Sequence, residues 1–205
     1  MKSRRLRIAL AATAVAVLTV CAFAVTSVYP KLLIRLDGDY LRVAVSPHLS
    51  FLAGRTLDRL KDGASIGFAG QLTITSGPNS LIPEARAVAH FALSYDIWEQ
   101  KFAAVKMAEH PDGRRAVSHL SAEAMETWCI DNLSIERSLV PADRPFYVQL
   151  DLRAEDPRDQ AGLVGDSGIN ITQLIEIFRS PVRAGQKPFR LTNGPLRLSD
   201  LRKAG

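Results

Sequence analysis

The chain has 205 residues, 26 Lys+Arg against 21 Asp+Glu, and a formal charge of +5. Four of the basic residues (Lys2, Arg4, Arg5 and Arg7) lie in the first seven positions, which leaves 22 against 21 in the rest. The remainder is thus close to neutral and shows no Lys/Arg cluster, so composition argues against a nucleic-acid partner.

After the basic head, Ile8 to Val28 is a run of 21 residues without a charge. A basic head followed by an apolar run is the pattern read by export machinery. Two readings fit it. Ala22-Phe23-Ala24 places small residues where a signal peptidase needs them, with cleavage before Val25. Alternatively the run stays uncleaved, since 21 residues at ~1.5 Å each span about 30 Å of hydrocarbon. Either way the head stays inside, residues 1–28 form a signal peptide or single-pass anchor helix, and residues 29–205 are an exported domain. A lipoprotein reading at Cys21 is disfavoured by the bulky Val20 before it. With Cys21 in the apolar run, Cys129 is alone in the domain and has no partner there for a disulfide. About 177 residues suffice for one domain with a full core.

In chain order, Leu33–Leu36 and Tyr40–Val45 flank Asp37-Gly38, which predicts a hairpin with a type I′ turn. Ser46 and Pro47 then read as N-cap and first residue of a helix. Its apolar stripe is Leu49, Leu52, Ala53, Thr56, Leu57 and Leu60, closed by Lys61 and Gly63. Alternation over residues 66–75 predicts a strand with Ile66, Phe68, Leu72 and Ile74 on one face and Gln71, Thr73 and Thr75 on the other. Gly77-Pro78-Asn79-Ser80 breaks it, and strands follow at 86–97, 102–107 and 115–120. Ser121 caps a second helix with the stripe Ala122, Met125, Trp128 and Cys129. Residues 146–153 alternate cleanly as a strand. A polar loop from Glu155 to Gly168 leads to a third helix, in which Asn170 and Gln173 form a capping box and Pro181 ends the run. Residues 189–198 add an edge segment broken at Asn193-Gly194-Pro195. About seven strands at hairpin spacing and three helices, without a βαβ rhythm, predict an α+β fold: one antiparallel sheet with helices on one face.

No complete catalytic set is assembled. Gly165-Asp166-Ser167-Gly168 resembles the nucleophile motif of chymotrypsin-like serine proteases, and Ala87-Val88-Ala89-His90 their histidine motif. However, Ile169 stands where that family has a second glycine, and Asp96 lies too close to His90. Gly162, Gly165 and Gly168 precede a helix, but no Gly-Lys-Ser/Thr follows for a phosphate loop. The four histidines show no metal-ligand spacing, and no cofactor is expected. Asp96 and Glu99 could form an acid–base pair for sugar chemistry. The plainer reading is a turn in which Trp98 packs and both acids face water. Asn132-Leu133-Ser134 and Asn170-Ile171-Thr172 are sequons by pattern.

The run from Leu41 to Met107 contains Ser46-Pro47-His48-Leu49 opening a helix, Lys61-Asp62-Gly63 closing it, and Tyr95-Asp96-Ile97-Trp98 at a strand turn. In this order it resembles a bacterial family of exported domains of unknown function, over about a third of the chain. The resemblance implies compartment and general architecture and carries no catalytic residues. The expectation is therefore a non-enzymatic envelope protein, periplasmic or anchored to the inner membrane, that binds a protein partner. Its candidate contacts are Tyr95, Asp96, Trp98 and Glu99 in the turn, and Asp166 and Ser167 in the glycine loop. The segment Arg4, Arg5, Arg7, Ile8, Ala22 and Ala24 serves the membrane or export machinery. Two alternatives are a carrier of a lipid-like ligand held between sheet and helices, and a hydrolase using Ser167 or Asp96/Glu99.

Overall fold

A computed structural model of the chain describes residues 29–46, 51–108, 113–155, 164–165, 168–169 and 189–201. The membrane or export segment 1–28, the third helix, and Asp166 and Ser167 lie outside these described residues. Strands β1 (Lys31–Asp37) and β2 (Tyr40–Ser46) form the expected hairpin, with Asp37 opposite Tyr40. The two turn residues are therefore Gly38 and Asp39. Gly38 has φ +58° while Asp39 does not share a positive φ, which is type II′ rather than the expected I′, where both turn residues are positive.

The larger sheet contains β3 (Ile66–Thr75), β4 (Ala85–Asp96), β5 (Lys101–Met107), β6 (Arg115–Leu120), β8 (Phe146–Ala154) and β11 (Phe189–Leu196). Their order is β11–β8–β3–β4–β5–β6, and every neighbouring pair is antiparallel. The register of β11 on β8 shifts between Asn193 and Leu196, where the sequence breaks at Gly194-Pro195. The β1–β2 hairpin does not extend this sheet. A short strand absent from the sequence reading, β7 (Ser134–Glu136), pairs with β2 to make a separate three-stranded sheet. A two-stranded ribbon, β9 (Val164–Gly165) with β10 (Gly168–Ile169), stands where a loop was expected. The fold is α+β and antiparallel, but the expected single sheet of about seven strands is replaced by sheets of three and six.

Among the described residues there are two α-helices. The first, α1, spans only Arg55–Lys61. Ser46 is not its N-cap; it is the last residue of β2. Residues 47–50 lie outside the described residues; within 51–54, two features keep the apolar stripe from becoming helix. Gly54 sits at φ +59°, ψ −138°, a conformation natural only to glycine. The Leu52 backbone N–H donates to Glu126 Oε1 at 2.7 Å. The C-terminal end follows expectation: Gly63 has φ +87°, and Ala64 N–H donates to the Arg59 carbonyl. The second helix, α2 (Ala122–Asp131), begins as read, with Ser121 Oγ accepting from Ala124 N–H at 3.1 Å. Lys106 Nζ closes its other end through the carbonyl of Asn132 at 2.8 Å. Burial, then Arg115 and Arg42, hold the Lys106 ammonium below the usual lysine range.

The register assigns each side chain of the large sheet to a face. One face carries Phe68, Leu72 and Ile74 of β3, Phe91 and Leu93 of β4, and Leu150 and Leu152 of β8, all buried. Both helices pack on the sheet: Trp128 of α2 meets Phe91 edge to face, and α1 lies against β4 with Leu60 buried, while Phe51, just upstream of α1, meets Phe68 edge to face. Met125, Cys129 and Leu133 complete the core. Gly70 sits at its centre: a Cβ there would meet Leu133, Leu152 and Phe91 at 3.0, 3.1 and 3.2 Å.

Candidate functional site

The β4–β5 turn brings Tyr95, Asp96, Trp98 and Glu99 together. Asp96 pairs with Lys101, leaving Ile97, Trp98, Glu99 and Gln100 as the loop. Asp96 Oδ1 accepts hydrogen bonds from the backbone N–H of Trp98 at 2.8 Å and of Glu99 at 3.0 Å. This is the local side-chain-to-backbone pattern that fixes a turn. Gln100, at φ +55°, brings the chain back into β5. Behind the turn, the rings of Tyr95 and Phe102 lie 4.7 Å apart. Beside it, Glu99 Oε2 meets His119 Nε2 at 2.9 Å, and Ser118 Oγ lies 2.8 Å from His119 Nδ1.

Trp98 does not pack against the domain: it is 95% exposed, and neighbouring Ile97 is 59% exposed. That corrects the plainer sequence reading of the turn. An indole held in water on a braced loop presents a large apolar surface at low ordering cost, the chemistry of an interface anchor. The two carboxyls are not arranged as a facing pair. Asp96 holds the turn backbone and Glu99 faces His119.

A second group of residues was missed in sequence. On the sheet face opposite the helices, β3 contributes Gln71, Thr73 and Thr75, all buried. Next to Gln71 in the register lies Asp151, fully buried. Its Oδ1 is 3.3 Å from Arg153 Nε, and its Oδ2 accepts from Arg190 Nε at 2.9 Å and from the second guanidinium nitrogen. Two rows away, His90 Nε2 lies 2.8 Å from Glu155 Oε2, close enough for an ion pair but not aligned as a hydrogen bond. At Asp151 the buried carboxylate is compensated by the guanidinium groups of Arg153 and Arg190, the condition under which a buried charge persists. The alternation of residues 146–153 put Asp151 and Arg153 on the far face, but did not reveal that this face is buried.

Among the described residues, no group of three or more His, Cys, Asp or Glu is placed to hold a metal. No helix among them is long and apolar enough to cross a membrane. Comparison with known protein families, with curated proteins and with solved structures finds no match.

Proposed function

We propose that this chain is a non-enzymatic bacterial envelope protein whose domain works outside the cytoplasm by binding a protein partner through the Tyr95–Phe102 turn. The observation that carries the reading is Trp98: almost fully exposed, yet mounted on a turn fixed by Asp96 and backed by the Tyr95–Phe102 ring pair. A monomer gains nothing in stability from such a residue, whereas tryptophan is over-represented among the residues that dominate interfaces. The compartment rests on the basic head and the 21 uncharged residues after it. The carrier reading needs space between sheet and helices, and against it stands the close fit at Gly70, where an added Cβ would already press on Leu133, Leu152 and Phe91.

The test is the native size of the full chain extracted from its own envelope in mild detergent. The wild type runs as a complex, and Trp98→Ala runs as the free chain with an unchanged unfolding midpoint. Identical migration of the two proteins would remove the turn as the partner surface.

A further inference from the structure

The loop between β3 and β4, residues 76–84, contains no charge from Ser76 to Pro83. It displays Leu81 at 96% and Ile82 at 79% exposure. The display is built. Thr75 Oγ1 donates to the Gly77 carbonyl at 2.8 Å, and Ser80 N–H donates to the same carbonyl at 3.2 Å. Ser80 Oγ donates to the Ile82 carbonyl. Glu84, the first charge after the apolar pair, is turned aside to Arg144 at 3.1 Å, and its N–H closes the loop onto the Ile74 carbonyl.

The start of the described chain lies at the same end of the sheet. The Asn193 amide donates to the Leu32 carbonyl at 2.6 Å. Asn193 pairs with Val148, and Val148 with Ile74, the row from which the loop projects. From Leu32, β1 climbs to Leu36, which pairs with Leu41, itself opposite Ile135. That level is nearer Gly70, whose Cβ position meets Leu133. Traced backwards, the chain therefore leaves at Tyr29 on the loop's side of the row, and Tyr29 is 75% exposed. Upstream of it stand the 21 uncharged residues.

We propose that residues 76–84 rest on a lipid bilayer, with Leu81 and Ile82 inserted at the boundary of headgroups and acyl chains beside the entry of Tyr29. This rests on the anchored form of the proposed function, in which Ile8–Val28 remains in the membrane. A stretch without charge from Ser76 to Pro83, with two large apolar side chains and an aromatic at the same end of the sheet, matches the composition of membrane interfaces. The twelve residues of β4, at ~3.3 Å each, then carry the Trp98 turn about 40 Å away from the bilayer. One end of the domain faces lipid and the other faces the partner.

The experiment uses the full chain with Cys21→Ser, carrying Leu81→Cys, Ile82→Cys or Trp98→Cys labelled with an environment-sensitive fluorophore. Cys129 is buried and stays unlabelled. The proteins are reconstituted in vesicles of phosphatidylethanolamine and phosphatidylglycerol containing a phospholipid spin-labelled near the top of its acyl chain. Retention after alkaline carbonate reads the anchor separately. The proposal requires quenching at 81 and 82 to be several-fold stronger than at 98. Equally weak quenching at all three positions, with the chain retained, overturns the loop contact and leaves the anchor standing. Stronger quenching at 98 reverses the orientation and overturns it also. Release by carbonate removes the anchor and the inference with it.

Discussion

The backbone N–H of Leu52 donates to Glu126 Oε1 at 2.7 Å, so a carboxyl from the middle of α2 holds the chain entering α1. Both residues are buried. This bond joins positions 74 apart and spends an N–H that a longer helix would have used internally. Glu126→Ala removes the acceptor from a buried donor, which costs about 1–3 kcal/mol. The midpoint of urea unfolding should fall at unchanged slope. An unmoved midpoint would mean that the contact is incidental.

Gly70→Ala tests how tightly the layers fit. The added Cβ presses on Leu133, Leu152 and Phe91 at once. Overpacking of this kind costs about 1–3 kcal/mol, offset by roughly 0.5–1 kcal/mol because alanine loses less backbone freedom than glycine. Unfolding should report a net loss of up to about 2.5 kcal/mol. A stabilised variant would reveal slack between the layers and revive the carrier reading.

Much of the fold is legible because strand alternation and cap residues act locally. Phe146, Val148, Leu150 and Leu152 are all buried, as the period of two requires, and Ser121 caps α2 through its own side chain. What alternation cannot supply is the state of the other face. It assigns Gln71, Thr73, Asp151 and Arg153 to a common side, yet β3 is buried along its whole length. The stripe overstates α1 at Leu52 and Ala53 because periodicity is silent about Gly54 and about Glu126. With only three residues, β7 is too short to carry a periodic signal.

Cys129 predicts a pH effect. Burial first, and the Glu126 carboxyl second, push its thiol from an ordinary 9.0 up to about 12. The folded state therefore keeps a proton that the unfolded chain releases. The resulting stabilisation is full below pH 9.0 and is lost as pH rises toward about 12. Relative to Cys129→Ala, the wild type should lose stability more steeply across that window, by up to about 1.4 kcal/mol per pH unit. Parallel curves would contradict the assignment. In the native protein the same thiol should resist maleimide at mildly alkaline pH and react on unfolding.

Asp96 governs the turn that presents Trp98. Asp96→Ala removes the acceptor of two backbone N–H groups, and hydrogen exchange at Trp98 and Glu99 should accelerate roughly tenfold or more. Global stability should move by less than about 1 kcal/mol, because the site is at the surface. Asp96→Asn keeps an acceptor oxygen and should retain most of the protection. Unaltered exchange in Asp96→Ala would mean that the turn is held from elsewhere.

The turn itself is legible as a polar break between two apolar strands, and its four candidate residues do meet there. The exposure of Trp98 is not legible, since an aromatic between strands is as compatible with packing as with display. The Asp151–Arg190 pair is hidden for another reason: its partners are 39 positions apart and meet only through the pairing of β8 with β11.

Site-specific photo-crosslinking from position 98 is the most direct test of partner binding. The full chain, with a photoreactive amino acid replacing Trp98, is irradiated in intact cells of its native host. Partner binding through the turn requires one discrete adduct that forms outside the cytoplasm and disappears when Asp96→Ala is added. A chain that crosslinks to nothing at 98, or as strongly from the opposite end of the sheet at Leu81, would contradict it.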